Sequence, residues 1–340
     1  GQETKQSMEW TSCQTMLNPN GNVTTGRTSR LARVTSLLVW LMALLFVDSG
    51  LALGQESGTR SAYIAGSGNA ALDDHVARLL TKQLGDQVTL EPLIESQLTV
   101  LENEPVIAIG PAAFSRVRQA NRDLPVLALL VDKDFIEGYT TRFSGQLSAV
   151  YYDAPLLRQA LTGKVILPQA TRVALLATTE SVELYEPLID QLAPYGLEAK
   201  VFIADTEDQL IPSLIRALSF GDFLLAGQDD AIYNPRNIKH ILLTAYRRNK
   251  ILIGPSQAYV KAGALASSYA PFNEMAELAA SHLITYFDSG AFPAPTYPDE
   301  YRVEVNQQVA RSLNIPLPER EWIAQAVQNM ISENNQEAGQ

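Results

Sequence analysis

Val126-Leu127-Ala128-Leu129-Leu130-Val131 is an unbroken apolar run between Pro125 and Asp132. With no polar residue alternating along it, the run predicts a strand covered on both faces, as in a parallel sheet between two helical layers. Outward from it the same pattern repeats. Upstream, Val106-Ile107-Ala108-Ile109 ends at Gly110-Pro111 and leads into a helical stretch over 112–121. Strands are predicted over 62–65 and 88–90, with a helix over 73–84 that sets Val76, Leu79 and Leu80 on one side. Downstream come a strand over 146–150 and a helix over 154–161. The pattern restarts near Leu167-Pro168, with strands over 172–177, 199–203, 223–226, 250–253 and 301–305. The helices of this second run cover 182–193, 207–218, 273–287 and 319–332, and one more is capped by Asn234 with Pro235 at its first position. Strands alternating with helices predict an α/β architecture with parallel sheets, here in two similar lobes.

Composition narrows the function. The 340 residues are 46% hydrophobic and 19% charged, with a net charge of −11. That is ordinary globular composition, and without a Lys/Arg run it disfavours a nucleic-acid partner. Cys13 is the one cysteine, which excludes an internal disulfide and a cysteine-based metal site. Arg27, Arg30 and Arg33 precede a 14-residue apolar run over 34–47, and small residues follow up to Ala52 and Gly54. This is the pattern of a cleaved secretory signal, and the run would span about 21 Å as a helix, short of a bilayer core. Residues 1–54 are therefore read as extension and signal peptide. Their removal leaves 22 Lys and Arg against 34 Asp and Glu, a net −12, and no cysteine.

Ligands of parallel α/β sheets bind beyond the carboxyl ends of strands. The loops to examine are 66–69, 110–113, 132–135, 178–183, 227–230 and 254–257. Gly66-Ser67-Gly68-Asn69-Ala70-Ala71 fits G-x-G-x-x-A between a strand and a helix, with Glu91 about 20 residues further on, which is the dinucleotide-binding spacing. The same turn also occurs in α/β proteins that bind no nucleotide. His75, His240 and His282 are scattered, His282 reading as a core histidine and the other two as surface residues. No G-x-S-x-G elbow or P-loop is present. Asp132, Asp134, Asp229 and Asp230 follow strand ends, where a carboxylate can bind a metal, act as an acid or base, hold a ligand ammonium group or simply cap a helix. Phe114, Phe135, Tyr139, Tyr233, Tyr259 and Tyr269 are stacking candidates whose ordinary place is the core.

Residues 250–318 resemble the substrate-binding proteins of ABC transporters, in particular those that bind aromatic amino acids such as tryptophan. The resemblance rests on Gly254, Ser256, Gly263-Ala264-Leu265-Ala266, Asn306, Ala310 and the segment 313–318. Upstream it extends through Ala71-Leu72-Asp73, Ser144-Gly145, Leu167-Pro168 and Arg172-Val173. It departs from the family at Asp132-Lys133-Asp134, at 141–145 and at 150–156. The resemblance implies a type I periplasmic-binding-protein fold, two Rossmann-like lobes with parallel sheets joined by a hinge. Lobe 1 would comprise 55–167 plus 255–295, lobe 2 168–254 plus 296–332, with 333–340 a disordered tail. It further implies a periplasmic, non-enzymatic protein without a cofactor that captures a small molecule between its lobes for a membrane permease or another envelope protein. Ser67, Asn69, Gly110, Ala112, Asp229 and Ser256 are the expected ligand contacts, with Asp229 holding an amino group and helix N-terminal N–H groups a carboxylate. Two alternatives stay open: an envelope accessory or sensory protein on the same fold, and a nucleotide-binding enzyme using 66–71.

Overall fold

The computed structural model describes residues 60–339. The extension, the signal-peptide reading and Cys13 lie outside the described residues.

The first run of elements is β1 (Ser61–Ala65), α1 (Ala70–Leu84), β2 (Thr89–Pro92), β3 (Val106–Ile109), α2 (Pro111–Ala120), β4 (Val126–Val131), α3 (Lys133–Arg142) and β5 (Leu147–Tyr151). Its sheet has the order β2-β1-β3-β4-β5, with every neighbouring pair parallel. Ile107, Ile109, Leu127 and Leu129 pack on one face of it, Val106, Ala108, Val126 and Ala128 on the other. This two-sided burial is why these strands carry no polar alternation.

The second run is α4 (Leu156–Ile166), β6 (Arg172–Ala177), α5 (Glu186–Gln191), β7 (Glu198–Ile203), α6 (Glu207–Phe220), β8 (Phe223–Leu225), α7 (Ile238–Arg247), β9 (Leu252–Ile253), α8 (Gln257–Ala262), β10 (Ala266–Tyr269), α9 (Phe272–Ser289), β11 (Arg302–Val305), α10 (Gln307–Ser312) and α11 (Arg320–Ala338). Its sheet is ordered β11-β10-β9-β8-β6-β7, parallel except for the β10–β11 pair. Five of its strands repeat the order of the first sheet, which gives two like lobes, each with one point where the strand order reverses.

Several expectations need correction. Helix α4 belongs to the second lobe, because Ala160, Leu161 and Ile166 share a core with Leu175, Phe223 and Ile253. Strand β10 lies in the second sheet, paired to β9 and β11. The chain thus leaves the first lobe between β5 and α4, ahead of the expected crossing near 168. It returns between β10 and α9, beyond the expected crossing near 255. Helix α9 packs on the first sheet, Met275, Ala279 and Leu283 meeting Leu80, Ile107 and Leu127. The last crossing comes later than residue 295, because Thr296 still bridges to Val150 and the Tyr297 ring lies 4.7 Å from that of Tyr151. Pro155, Pro271 and Pro298 stand at the three crossings.

The helix expected over 182–193 is broken into a 3₁₀ turn, α5 and a second 3₁₀ turn, since Pro187 fits only the first turn of a helix. Asn234 accepts from the N–H groups of Arg236 and Asn237, but this capped turn stops short of α7. Helix α3 replaces the loop expected at 132–135, burying Ile136 and Thr140. Helix α11 runs through Ala338, so most of the expected tail 333–340 is helical. His282 is in the core, its ring nitrogens 3.4 Å from the Ser148 and Thr296 hydroxyls. Asn306 caps α10 through the Val309 N–H and donates to the Val260 carbonyl oxygen, a structural role for one residue of the family resemblance.

Candidate functional site

Residues that follow β4 and β5 in one lobe and β8 and β9 in the other line a single cavity of about 330 Å³. Asp132, Lys133 and Asp153 come from the first lobe; Tyr185, Gly227 and Gln228 come from the second. The crossing residues Ala154 and Pro155 form part of the wall. A change in lobe angle would therefore change the cavity itself. A bulge shifts the β4–β5 register between Ala128 and Val131, and Leu130 there has φ +55°, immediately before the strand end that carries Asp132.

The electrostatics of the site are acidic. Asp132 stands at the N-cap of α3 without accepting from its N–H groups. Desolvation, reinforced by Asp153, Asp230 and Asp134, pushes the Asp132 carboxyl up to about 7. Burial also raises Asp153, against the opposing pull of hydrogen bonds from the Lys133 N–H at 3.0 Å and the Tyr297 hydroxyl at 3.3 Å. On the facing lobe, Tyr185 is fully buried and its Oη has no hydrogen-bond partner. A Cβ on residue 227 would stand 2.9 Å from the Tyr185 Oη, so glycine at 227 is what allows this approach.

No family model matches the chain, and no curated protein does. Solved structures do. A ligand-free, open substrate-binding protein with adhesive properties from Clostridium difficile superposes with a TM-score of 0.63 at 13% identity, covering 77% of this chain and 97% of its own. An ABC domain from Streptococcus pneumonia in complex with L-Trp gives 0.52 at 16%, covering 77% and 96%. A conserved domain protein from Vibrio cholerae gives 0.53 at 16%, covering 78% and 98%. The fold is that of the type I periplasmic binding proteins.

Within this periplasmic-binding fold the expected contacts separate. Ser67 donates from its N–H and its Oγ to Asp73 Oδ1, at 2.8 and 2.6 Å. Asn69 caps α1 by accepting from the Leu72 N–H at 3.2 Å. A Cβ on Gly66 would meet Asp73 Oδ2 at 2.5 Å, so glycine there lets the loop close on the chain's own carboxylate. Gly110 is the N-cap of α2 with exposed Ala112 beyond it, and neither lines the cavity. Asp229 is buried, accepting from the Ser181 hydroxyl at 2.6 Å and the Ala231 N–H at 3.1 Å. One of its oxygens thus holds its own loop and the other the distant loop that carries Ser181. Ser256 lines an adjoining recess of about 260 Å³ with His75, Tyr152, Tyr269 and Phe272. Of the aromatic candidates, Phe114 and Tyr233 are core residues.

Besides residues of the loops 132–135, 178–183, 227–230 and 254–257, the cavity is lined by residues outside the sequence expectations: Asp153 and the crossing after it, Glu137, Tyr185 and Tyr297. The signal for the first was the departure from the family at 150–156, where Asp153-Ala154-Pro155 follows a strand end. Nothing local marks Tyr185 or Tyr297. Among the described residues no group of three or more His, Cys, Asp or Glu is arranged to hold a metal ion. No helix among them is long and apolar enough to cross a membrane.

Proposed function

We propose that the chain is an exported solute-binding protein that captures a small molecule between its lobes and delivers it to an ABC-type importer. One observation carries the reading: a cavity whose walls come from the strand ends of two like sheets and from the crossings that join them. A ligand there touches both lobes at once, so it favours the arrangement in which both contacts are made, and hinge closure follows from that difference in affinity. The cavity volume sits at the lower end of the roughly 300–1,000 Å³ usual for small-molecule sites. The likeness to substrate-binding proteins supports the same reading. A nucleotide-binding enzyme is not supported, because the 66–69 loop is occupied by Asp73.

The test is thermal unfolding of the purified protein against a panel of amino acids, amines, nucleosides and sugars. A bound solute raises the melting temperature in proportion to the logarithm of its concentration above Kd. If no compound in the panel shifts it, the reading fails.

A further inference from the structure

Five carboxylates line the interlobe cavity, Asp132, Asp134, Glu137, Asp153 and Glu183, against the single ammonium of Lys133, and no arginine joins them. Lys133 Nζ is already 3.8 Å from Glu137 Oε1. Asp230, on the loop after β8, adds a further negative charge that acts on Asp132 from the other lobe. An acidic surface alone is ordinary solvated charge. This one is set in a cavity of about 330 Å³ between the lobes, with Asp132 and Asp153 on one side and Glu183 on the other. The Tyr185 hydroxyl is fully buried, lies against the cavity-wall residue Gly227 and has no partner. The Asp132 carboxylate likewise forgoes the helix cap its position offers.

A zwitterionic amino acid would bring its carboxylate into this field with no arginine to receive it. A ligand carrying only positive charge meets carboxylates from both lobes. Leu156, Leu157 and Leu188 supply apolar wall for a methylene chain between charged ends.

Resting on the solute-binding reading, we propose that this cavity takes an organic cation without a carboxylate, of the diamine or polyamine class, and that the cation draws the two lobes together. Asp132 and Asp230 belong to different lobes and repel. A cation held among the cavity carboxylates of the two lobes, Asp132 and Asp153 on one side and Glu183 on the other, offsets that repulsion, so charge recognition and closure are one event.

The test titrates the full chain with putrescine and spermidine at pH 8 and constant ionic strength, by calorimetry and thermal unfolding. Tryptophan, ribose and calcium chloride are run in parallel. The amines are expected to raise the melting temperature. Asp230→Asn, an exposed change on the second lobe, should weaken putrescine binding about five- to tenfold without lowering the ligand-free melting temperature. Asp132→Asn should weaken it at least as much. If tryptophan or ribose binds and the amines do not, the cation proposal is overturned and the solute-binding reading stands. Stabilisation by calcium but not by amines overturns it as well. Amine binding that neither substitution alters overturns it as nonspecific attraction. If no probe binds, the proposal falls together with the reading beneath it.

Discussion

The Tyr185 ring packs so closely on Gly227 that a Cβ there would come within 2.9 Å of both the ring and the hydroxyl oxygen. Tyr185 also sits in the second lobe's core, among Leu175, Leu188 and Leu225, so it cannot yield freely. Gly227→Ala is expected to destabilise the protein by about 1–3 kcal/mol, the usual cost of overpacking. At this chain length that lowers the melting temperature by about 2–4 °C per kcal/mol. Tyr185→Phe removes a buried hydroxyl that makes no hydrogen bond and should leave stability nearly unchanged. Calorimetric unfolding of the two variants separates the packing of the ring from the contribution of its hydroxyl.

Asp132 gives binding a pH dependence. Its carboxyl, with an ordinary value of 3.8, is pushed up to about 7 by desolvation and then by Asp153, Asp230 and Asp134. Lys133, beside it on α3, is the one basic residue of the cavity lining. The folded state therefore keeps a proton that the unfolded chain has lost. The associated stability is present below about 3.8 and disappears as pH rises through 7. Asp132→Asn should be more stable than the parent above pH 7, by about 1–2 kcal/mol once solvent screening in an open cleft is allowed for. Putrescine affinity should rise about tenfold between pH 6 and 8 in the parent and stay flat in Asp132→Asn. Denaturant melts and titrations at the two pH values check both.

Asp73 closes the Gly-rich loop from within, accepting from the Ser67 N–H and Oγ. Asp73→Ala should cost about 1–2 kcal/mol, since two donors at a helix N-terminus lose their charged acceptor. NAD and NADP at saturating concentration should leave the parent's melting temperature where it is. A rise of several degrees with either one would restore the nucleotide reading.

Burial holds the His282 imidazole below its ordinary 6.5. The folded state then binds fewer protons than the unfolded chain. Stability is complete above pH 6.5 and falls as pH drops below it toward the folded-state value. Unfolding in denaturant between pH 7 and 5 should show this loss, and His282→Gln should reduce the slope.

Most of the fold could be read from the sequence because parallel strands buried on both faces advertise themselves. Residues 106–109 and 126–131 carry no polar alternation, and both become central strands. The errors fall where short-range pattern is weak. Helix α3 contains Gly138, Thr140 and Thr141, poor helix formers whose place is decided by burial of Ile136 in the core. Helix α4 reads as amphipathic whichever lobe receives it, and only its contacts with Leu175 and Phe223 assign it. The loops chosen at strand ends included four that reach the cavity: 132–135, 178–183, 227–230 and 254–257.

By itself the sequence determined the layer architecture, its duplication and the acidic balance, because burial periodicity and charge are local properties of the chain. The tertiary structure decided which carboxylates work as a group. Asp229 looked as available as Asp132, yet it is bound by Ser181, 48 positions away. Asp132 makes no cap hydrogen bond, and the charges of Asp153 and Asp230 add to the desolvation that raises its carboxyl. Whether a carboxylate is free to meet a ligand depends on which donors the fold brings to it, and those donors lie far away along the chain.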